Sequence, residues 1–136
     1  MKKILIFTAT YNEVNNIEKL ITKIKDNCAE ANILIVDDNS PDGTGKLLKE
    51  KALKDSKLKV VVRVGKLGLD TAHKFAYEYA LSNNYDYLIT MDADLSHNAS
   101  EIPNFLKHIN NNDFVLGSRY MAGGKNKLGL LRFLLS

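Results

Sequence analysis

Residues 87–97 read YLITMDADLSH, and this stretch decides the fold. Its first four residues are apolar, aromatic or β-branched, which is typical of a short, largely buried strand. The run ends in Asp92 and Asp94, two carboxylates that would point to the same side of an extended chain and repel each other. A hydroxyl and an imidazole follow at Ser96 and His97. The pattern therefore predicts a strand that delivers acidic groups to a site.

The two acids indicate a site for a hard divalent cation. Carboxylate and hydroxyl oxygens suit Mg²⁺ or Mn²⁺, which usually keep some waters and are shared with substrate phosphates. The candidate metal ligands are Asp92, Asp94 and Ser96, and the implied substrate is a diphosphate. An isolated Asp-x-Asp can equally cap the next segment or lie in a solvated loop, so the interpretation depends on the motifs that accompany it.

Composition restricts the protein to an ordinary globular class. The chain has 136 residues, 45% hydrophobic and 26% charged, which fits one domain with a real core. A net charge of +3 does not argue for nucleic acid. Cys28 is the single cysteine, so the sequence fits a reducing compartment without an internal disulfide. No stretch approaches the roughly 20 apolar residues that span a bilayer, so we expect any membrane contact to be peripheral.

Strand-like and helix-like patterns alternate along the chain. Apolar runs predict five strands, at residues 4–8, 32–36, 58–62 and 114–117 and in the apolar part of the stretch 87–97 that precedes Asp92. Amphipathic spacing predicts helices after the first four strands, with Asn12 as cap of the first helix and Ser100 as cap of the last. Short connections between such elements indicate an α/β fold with a mostly parallel sheet flanked by helices.

Polar clusters follow four of these strands. They comprise Tyr11 and Glu13, Asp37 and Asp38, Arg63 and Lys66, and Asp92 and Asp94. Because ligands of parallel sheets bind beyond the carboxyl ends of the strands, the four clusters are expected to converge on one rim. A phosphate-binding P-loop is excluded, because Leu47 follows Gly45-Lys46 where Ser or Thr is required.

The tail, residues 118–136, holds no acid and mixes basic residues such as Arg119 and Arg132 with many leucines. This composition suits a phosphate site or an anionic membrane surface, and equally a last helix packed on the sheet.

Taken together, the motifs resemble the family 2 glycosyltransferases, and within them the polyprenol (dolichol) phosphate mannose synthase branch. The resemblance rests, in order and spacing, on ATYNE at 9–13, VDDNSPDGT at 36–44, KLGL at 66–69, MDADLSH at 91–97 and GSRY at 117–120. It implies a Rossmann-like GT-A fold that passes a hexose, typically mannose from GDP-mannose, to a polyprenyl phosphate.

The resemblance also implies residue roles. The nucleoside would be held by Tyr11, Glu13, Val36 and Asp38. The diphosphate and ribose would meet Asp92, Ala93 and Asp94, with Asp94 on the metal. Arg119 would contact the donor phosphates, and Arg132 and Ser136 fall where the family receives the lipid phosphate. Asp92, Asp94 and Arg119 are thus the expected catalytic residues, and in-line attack by the acceptor phosphate would invert the anomeric centre.

The resemblance further divides the chain into a nucleotide-sugar-binding core, residues 1–117, and the start of an acceptor-side or membrane-side region, residues 118–136. Ala9 stands where the family has proline, and Asp70 replaces a glycine near the phosphate-facing loop. The family continues beyond the position of Ser136, so we expect a C-terminally shortened GT-A domain.

Two functional hypotheses follow. The first is a metal-dependent, inverting glycosyltransferase at the cytoplasmic face of a membrane. The second is a shortened module that binds the nucleotide sugar, or a second copy or partner chain that supplies missing elements, and turns over poorly. A receiver-like signalling domain is disfavoured, because its acid pair follows the first strand and here the pair Asp37-Asp38 follows the second.

Overall fold

The computed structural model describes residues 2–118 and shows strands and helices in alternation. In chain order they are β1 (Ile4–Thr10), α1 (Ile17–Asn27), β2 (Asn32–Asp37), α2 (Thr44–Ala52), β3 (Leu58–Val62), α3 (Leu69–Ser82), β4 (Tyr87–Thr90) and α4 (Ile102–Ile109). A short 3₁₀ turn, Ala99–Glu101, leads directly into α4. The predicted α/β class is confirmed.

The four strands form one parallel sheet in the order β3-β2-β1-β4. The chain first moves outward from β1 to β3 and then crosses to the other side of β1 to make β4. Right-handed crossovers therefore place α1 and α2 on one face of the sheet and α3 on the other. The reversal of direction lies between β1 and β4, and this is the point at which open parallel sheets bind their ligands.

The core is built from branched side chains of the two central strands. On one face Leu5, Phe7, Leu34 and Val36 pack against three alanines of α3, Ala72, Ala76 and Ala80. The residues that alternate with them, Ile4, Ile6, Ile33 and Ile35, are also buried and point to the opposite face. Each such side chain contributes about 1.5–3 kcal/mol through its burial.

The first helix has the predicted face but not the predicted start. Ile17, Leu20, Ile21 and Ile24 are buried at the expected helical spacing. However, the helix begins at Ile17, and Asn12, the expected cap, has a left-handed φ of 61°. The prediction fails because the backbone amides of residues 12–14 bond to side chains of the loop after β2, which keeps them out of the helix.

The cap of the last helical segment was also predicted wrongly. Asn98, and not Ser100, is the capping residue, because its side-chain oxygen accepts a hydrogen bond from the Ser100 amide at 3.1 Å. Pro103 lies in the first turn of α4, where its missing N–H costs nothing, as expected.

The fifth strand predicted at residues 114–117 does not form within the described residues 2–118. Phe114 and Leu116 are exposed, and the run makes no ladder. A strand is fixed by the backbone hydrogen bonds of a neighbour, which four apolar residues cannot supply by themselves.

Contacts divide the chain into a unit up to Pro103 and a second from Asn104 onward. Within the second unit the ring of Phe105 closes on Gly117, where an added Cβ would lie 2.7 Å from Phe105 Cζ. Over residues 2–118, no helix has the length and apolar character needed to cross a membrane.

Candidate functional site at the carboxyl rim of the sheet

The strands of the sheet end together at one rim. Thr10 of β1 pairs with Asp37 of β2, and Asp37 pairs with Val62 of β3. On the other side of β1, Phe7 pairs with Thr90 of β4. The segments that follow these strands therefore lie at the same rim of the sheet, as the sequence predicted.

Asp37 closes the turn after β2 and is fully buried. Its Oδ1 accepts hydrogen bonds from Thr10 Oγ1 at 2.9 Å and Ser40 Oγ at 2.6 Å, and its Oδ2 accepts one from the Ser40 amide at 3.0 Å. Both oxygens are therefore used within the protein. Asp37 is a structural acid that ties β1 to β2.

A second set of bonds fixes the loop after β1 against the loop after β2. The amide of Asn12 donates to Ser40 Oγ at 2.9 Å, that of Glu13 to Thr44 Oγ1 at 3.0 Å, and that of Val14 to Asp42 Oδ2 at 3.1 Å. Much of the motif at 36–44 thus holds the preceding loop in place.

Asp42 accepts three hydrogen bonds in this loop contact, one of them from Val14. Its Oδ1 accepts hydrogen bonds from the amide of Thr44 at 2.9 Å and from the hydroxyl of Thr44 at 2.6 Å. Partial desolvation favours the neutral carboxyl, but these hydrogen bonds and that from Val14 outweigh it and lower the pKa of Asp42.

The most extensive polar contact of the rim joins Asp38 to Arg63. The Arg63 guanidinium bonds to Asp38 Oδ1 through two nitrogens, Nε and Nη2. It also donates to Thr71 Oγ1 at 2.6 Å and to the Gly68 carbonyl at 2.9 Å. The other oxygen of Asp38 accepts hydrogen bonds from the amides of Leu67 and Gly68 at 3.1 and 3.2 Å. Asp38 therefore holds the whole 63–68 loop.

The sequence interpretation missed this ion pair, although the sequence contains a signal for it. Asp37 and Val62 are partners in the parallel register, so Asp38 and Arg63 are the next residues of two adjacent strands. An acid and a base at equivalent ends of neighbouring strands meet whenever that register forms.

A small cleft of about 160 Å³ lies beside this ion pair. Its lining comprises Ala9, Thr10, Tyr11, Asp38, Arg63, Lys66, Gly68 and Leu69. The ammonium of Lys66 lies 4.2 Å from the centre of the Tyr11 ring, within the range of a cation–π interaction. The Tyr11 ring, the Lys66 ammonium and the Asp38–Arg63 ion pair thus line the same opening.

A larger cleft, of about 450 Å³, lies between the turn after β2 and α2, with Lys46, Lys49 and Leu53 in its wall. Its one buried acid, Asp37, already accepts three hydrogen bonds from the protein. The smaller cleft is the better candidate because polar side chains that follow β1, β2 and β3, namely Tyr11, Asp38, Arg63 and Lys66, converge on it.

The two other residues expected at the nucleoside differ in what they can offer. Glu13 is half-buried, and its Oε2 accepts a hydrogen bond from Asn16 Nδ2 at 2.9 Å. Val36 is fully buried in β2 and packs in the core, so a ligand could meet only its backbone.

The acids after β4 lie at the same rim and are exposed. Asp92 and Asp94 face solvent, while Met91 and Ala93, which alternate with them, are buried. Ser96 donates its amide hydrogen to Asp94 Oδ1 at 2.9 Å. Hydrogen bonds from the hydroxyl and amide of Ser96 lower the pKa of Asp94, so this carboxylate is ionised at neutral pH.

His97 folds back over Asp92. Its Nδ1 accepts a hydrogen bond from the Asp92 amide at 3.1 Å, and its Nε2 lies 3.4 Å from Asp92 Oδ2. This pair fixes the turn that carries both acids.

The donor set fits a hard cation that is shared with a ligand. Residues 2–118 contain no cluster of three or more histidine, cysteine or acidic side chains that could hold a metal unaided. Asp92, Asp94 and the Ser96 hydroxyl supply two charges and an oxygen, which is what Mg²⁺ or Mn²⁺ uses when substrate phosphate and water complete its coordination. The remaining predicted site residues, Arg119, Arg132 and Ser136, lie outside the described residues.

Comparison with known sequences matches residues 5–132 to the family described as glycosyl transferase family 2. The undecaprenyl-phosphate mannosyltransferase of Micrococcus luteus is 37% identical over 123 residues, which cover 90% of this chain and 51% of that protein. The polyprenol monophosphomannose synthase of Mycolicibacterium smegmatis is 38% identical over 125 residues, 90% of this chain and 47% of the relative. The chain thus spans about half the length of these curated relatives.

Solved structures show the same fold. The mannosyltransferase PcManGT from Pyrobaculum calidifontis, solved with GDP-Man and Mn²⁺, matches with a TM-score of 0.69 and 22% identity over 81% of this chain and 33% of its own. The structure of S. aureus TarS 1-349 matches with a TM-score of 0.66 and 20% identity over 88% of this chain and 40% of its own. At these identities the likeness supports the architecture alone.

Proposed function

The chain belongs to glycosyltransferase family 2, and from this premise we propose that it transfers mannose from GDP-mannose to a polyprenyl phosphate. Three observations support the proposal. Curated relatives that match 90% of the chain are named as mannosyltransferases of polyprenyl phosphates. The PcManGT structure contains GDP-Man and Mn²⁺ on the same fold. The single observation that carries most weight is the pair of exposed carboxylates, Asp92 and Asp94, directly after β4 at the carboxyl rim of the sheet.

We assign the cleft beside Tyr11 to the nucleoside. The Tyr11 ring offers a face on which a nucleobase can stack, and Lys66, which lies over that ring, can turn toward an acceptor on the base or a phosphate oxygen. Asp38 would reach the nucleoside only by exchanging some of its hydrogen bonds with Arg63. Glu13 and the backbone of Val36 complete this side of the site in our assignment.

We assign the acids after β4 to the diphosphate. Asp94, Asp92 and the Ser96 hydroxyl would hold a Mg²⁺ or Mn²⁺ ion, and Ala93 would pass close to the ribose and diphosphate. When bound, the cation neutralises charge that develops on the leaving nucleoside diphosphate. Arg119 would add a bidentate contact to the same phosphates.

The reaction needs no strong base from the protein. An acceptor phosphate is already anionic at neutral pH, so its oxygen can attack the anomeric carbon directly while the bond from that carbon to the β-phosphate oxygen breaks. The sugar is inverted and the nucleoside diphosphate leaves with the bonding electrons. What the chain must do is orient the donor, exclude water and stabilise the leaving group.

Donor binding is the direct test. GDP-mannose with Mn²⁺ should raise the unfolding temperature of the chain, by a stabilisation that approaches about 2.7 kcal/mol when the donor is at a hundred times its Kd. Asp94→Asn should abolish the part of this stabilisation that depends on Mn²⁺. Asp26→Asn, the same change at an exposed acid of α1, is the matched control and should leave it intact.

Transfer is then measured with a short prenyl phosphate by mass spectrometry of the lipid product. Formation of mannosyl phosphoprenol, lost in Asp94→Asn, supports the proposal. Donor binding without any transfer would contradict the proposed activity for this chain. Equal stabilisation by GDP and by ADP would contradict the assignment of the donor.

A further inference from the structure

The turn that carries the acids after β4, residues 92–97, contains a strained residue. Leu95 has a φ of 66°, in the left-handed region that a side chain with a Cβ disfavours. Within residues 2–118, four non-glycine residues have a positive φ, and the other three are asparagines, which tolerate this conformation. A leucine keeps it only where the surrounding structure holds it there, and such residues cluster at functional sites.

The start of this turn is fixed by the sheet. The amide of Met91 donates to the Phe7 carbonyl at 2.9 Å, so the chain still follows β1 one residue beyond the end of β4. Met91 and Ala93 are buried while Asp92 between them is exposed, so this acid is turned toward solvent. Leu95 then reverses the chain, and His97 returns to Asp92.

His97 holds the closing end of the turn. Its Nδ1 accepts the hydrogen bond from the Asp92 amide at 3.1 Å, which leaves the proton of the neutral ring on Nε2. That nitrogen lies 3.4 Å from Asp92 Oδ2, so one ring contacts both the backbone and the carboxylate of the same acid. Because the bond encloses Leu95, it opposes relaxation of the left-handed backbone.

Ser96 holds the second acid within the same turn. Its amide donates to Asp94 Oδ1 at 2.9 Å, across Leu95. Both hydrogen bonds therefore close around the strained residue. The placement of Asp92 relative to Asp94 depends on the left-handed backbone between them and His97.

We propose that His97 is a positioning residue of the transfer reaction, which keeps Leu95 left-handed and thereby sets Asp92 and Asp94 for the cation that carries the donor diphosphate. This inference rests on the proposed function, which places Mg²⁺ or Mn²⁺ at these acids. His97 acts through Asp92 and not by touching the cation. Groups that orient metal ligands in this way contribute about 10–100-fold to metal affinity or activity.

Two substitutions separate the acceptor nitrogen from the bulk of the ring. His97→Phe keeps a planar ring and removes both nitrogens, whereas His97→Asn offers an amide oxygen that can still accept from the Asp92 amide. His108→Phe, the same change at an exposed histidine of α4, is the matched control. The Kd of each chain for GDP is fitted from the rise of its unfolding temperature, with Mn²⁺ or with EDTA present.

His97→Phe should weaken the binding of GDP in Mn²⁺ by at least about tenfold and should leave the result in EDTA unchanged. His97→Asn and His108→Phe should both stay within about threefold of the unaltered chain in Mn²⁺. A substitution that merely loosened the fold would lower both affinities alike, so the difference between the two conditions identifies positioning.

Leu95→Gly tests the strain itself. Glycine adopts a left-handed backbone freely, so the turn no longer needs the bond from Asp92 to His97 to keep its shape. The loss caused by His97→Phe should therefore shrink to less than about threefold when Leu95→Gly is also present. Leu95→Ala keeps the Cβ, and with it the strain, so in this control the full loss should remain.

The inference is overturned if His97→Phe binds GDP in Mn²⁺ as the unaltered chain does, or if His97→Asn loses as much as His97→Phe. A loss of equal size in Mn²⁺ and in EDTA, or one that Leu95→Gly does not reduce, overturns it as well. These failures are separable from failure of the proposed function. If the unaltered chain binds GDP-mannose through Mn²⁺ and transfers mannose, and His97→Phe does so equally well, the inference alone fails; if the unaltered chain shows no stabilisation that depends on Mn²⁺, the metal assignment fails and the inference fails with it.

Discussion

Replacing Arg63 with methionine should destabilise the protein more than any single surface substitution. The variant keeps the apolar stem of the side chain but removes the guanidinium from Asp38. The two side chains are only 11% and 9% exposed, so water cannot replace the lost partner. Removing one partner of a buried ion pair costs about 3–5 kcal/mol, a large part of the about 5–15 kcal/mol that a domain has in total.

Urea unfolding followed by circular dichroism measures this loss. With a slope of about 1.5 kcal/mol per molar urea, a loss of about 3 kcal/mol lowers the midpoint by about 2 M. The control is Lys51→Met, which breaks the exposed Lys51–Glu18 pair of 2.7 Å. It should cost no more than about 1 kcal/mol, because exposed pairs are screened by solvent.

The double variant Asp38→Asn, Arg63→Met separates the pair from the loss of packing. Once the charge on Asp38 is gone, no uncompensated carboxylate remains, so the double variant should lose less than the sum of the two single variants. Strictly additive losses, or a midpoint for Arg63→Met within about 0.3 M of the unaltered chain, would refute the role assigned to this ion pair.

Three further predictions use local geometry. Gly45→Ala should lose about 1–3 kcal/mol of stability in urea unfolding, because the new Cβ would lie 2.8 Å from Asp37 Oδ2 and 3.1 Å from Val62 Cγ2. The control is Gly65→Ala, whose Cβ meets nothing within 4 Å and which should be nearly neutral. Equal losses in the two variants would contradict this explanation. The pKa of Asp42 is lowered in the folded chain, so its contribution to stability is present above the ordinary carboxyl pKa and is lost as pH falls through the folded value. The urea unfolding midpoint of Asp42→Asn should therefore fall less on acidification than that of the unaltered chain. Burial, followed by the nearby Glu30 charge, raises the pKa of Cys28 to about 11, so iodoacetamide at pH 8 should modify it at least about tenfold faster in urea than in the folded chain.

The four strands of the sheet could be predicted from the sequence because runs of apolar residues mark buried strands. The largely apolar runs that became β1 to β4 are separated by turn formers. The spacing of Ile17, Leu20, Ile21 and Ile24 is that of one helix face. The failed strand at 114–117 has the same apolar character but lacks a partner ladder. Local pattern therefore predicts the capacity to form a strand, and the neighbour decides whether it forms.

The connections could not be predicted in the same way, because each depends on atoms distant in sequence. Asn12 is a plausible cap from its position, yet its amide bonds to Ser40, 28 residues away. Asp38 is 25 residues from Arg63, and the two meet only once β2 and β3 adopt their register. Spacing alone contains no measure of such contacts.

The structure also separates acids that the sequence could not rank. Asp37, Asp38 and Asp42 have hydrogen bonds from the protein on both carboxylate oxygens, so their charge serves to hold loops together. Asp92 and Asp94 are exposed, and the described contacts leave acceptor capacity on both. A ligand that needs carboxylate oxygens therefore gains most at the acids after β4, whereas at Asp38 it must first displace an arginine. This difference is the physical reason to place the diphosphate and its cation at Asp92 and Asp94.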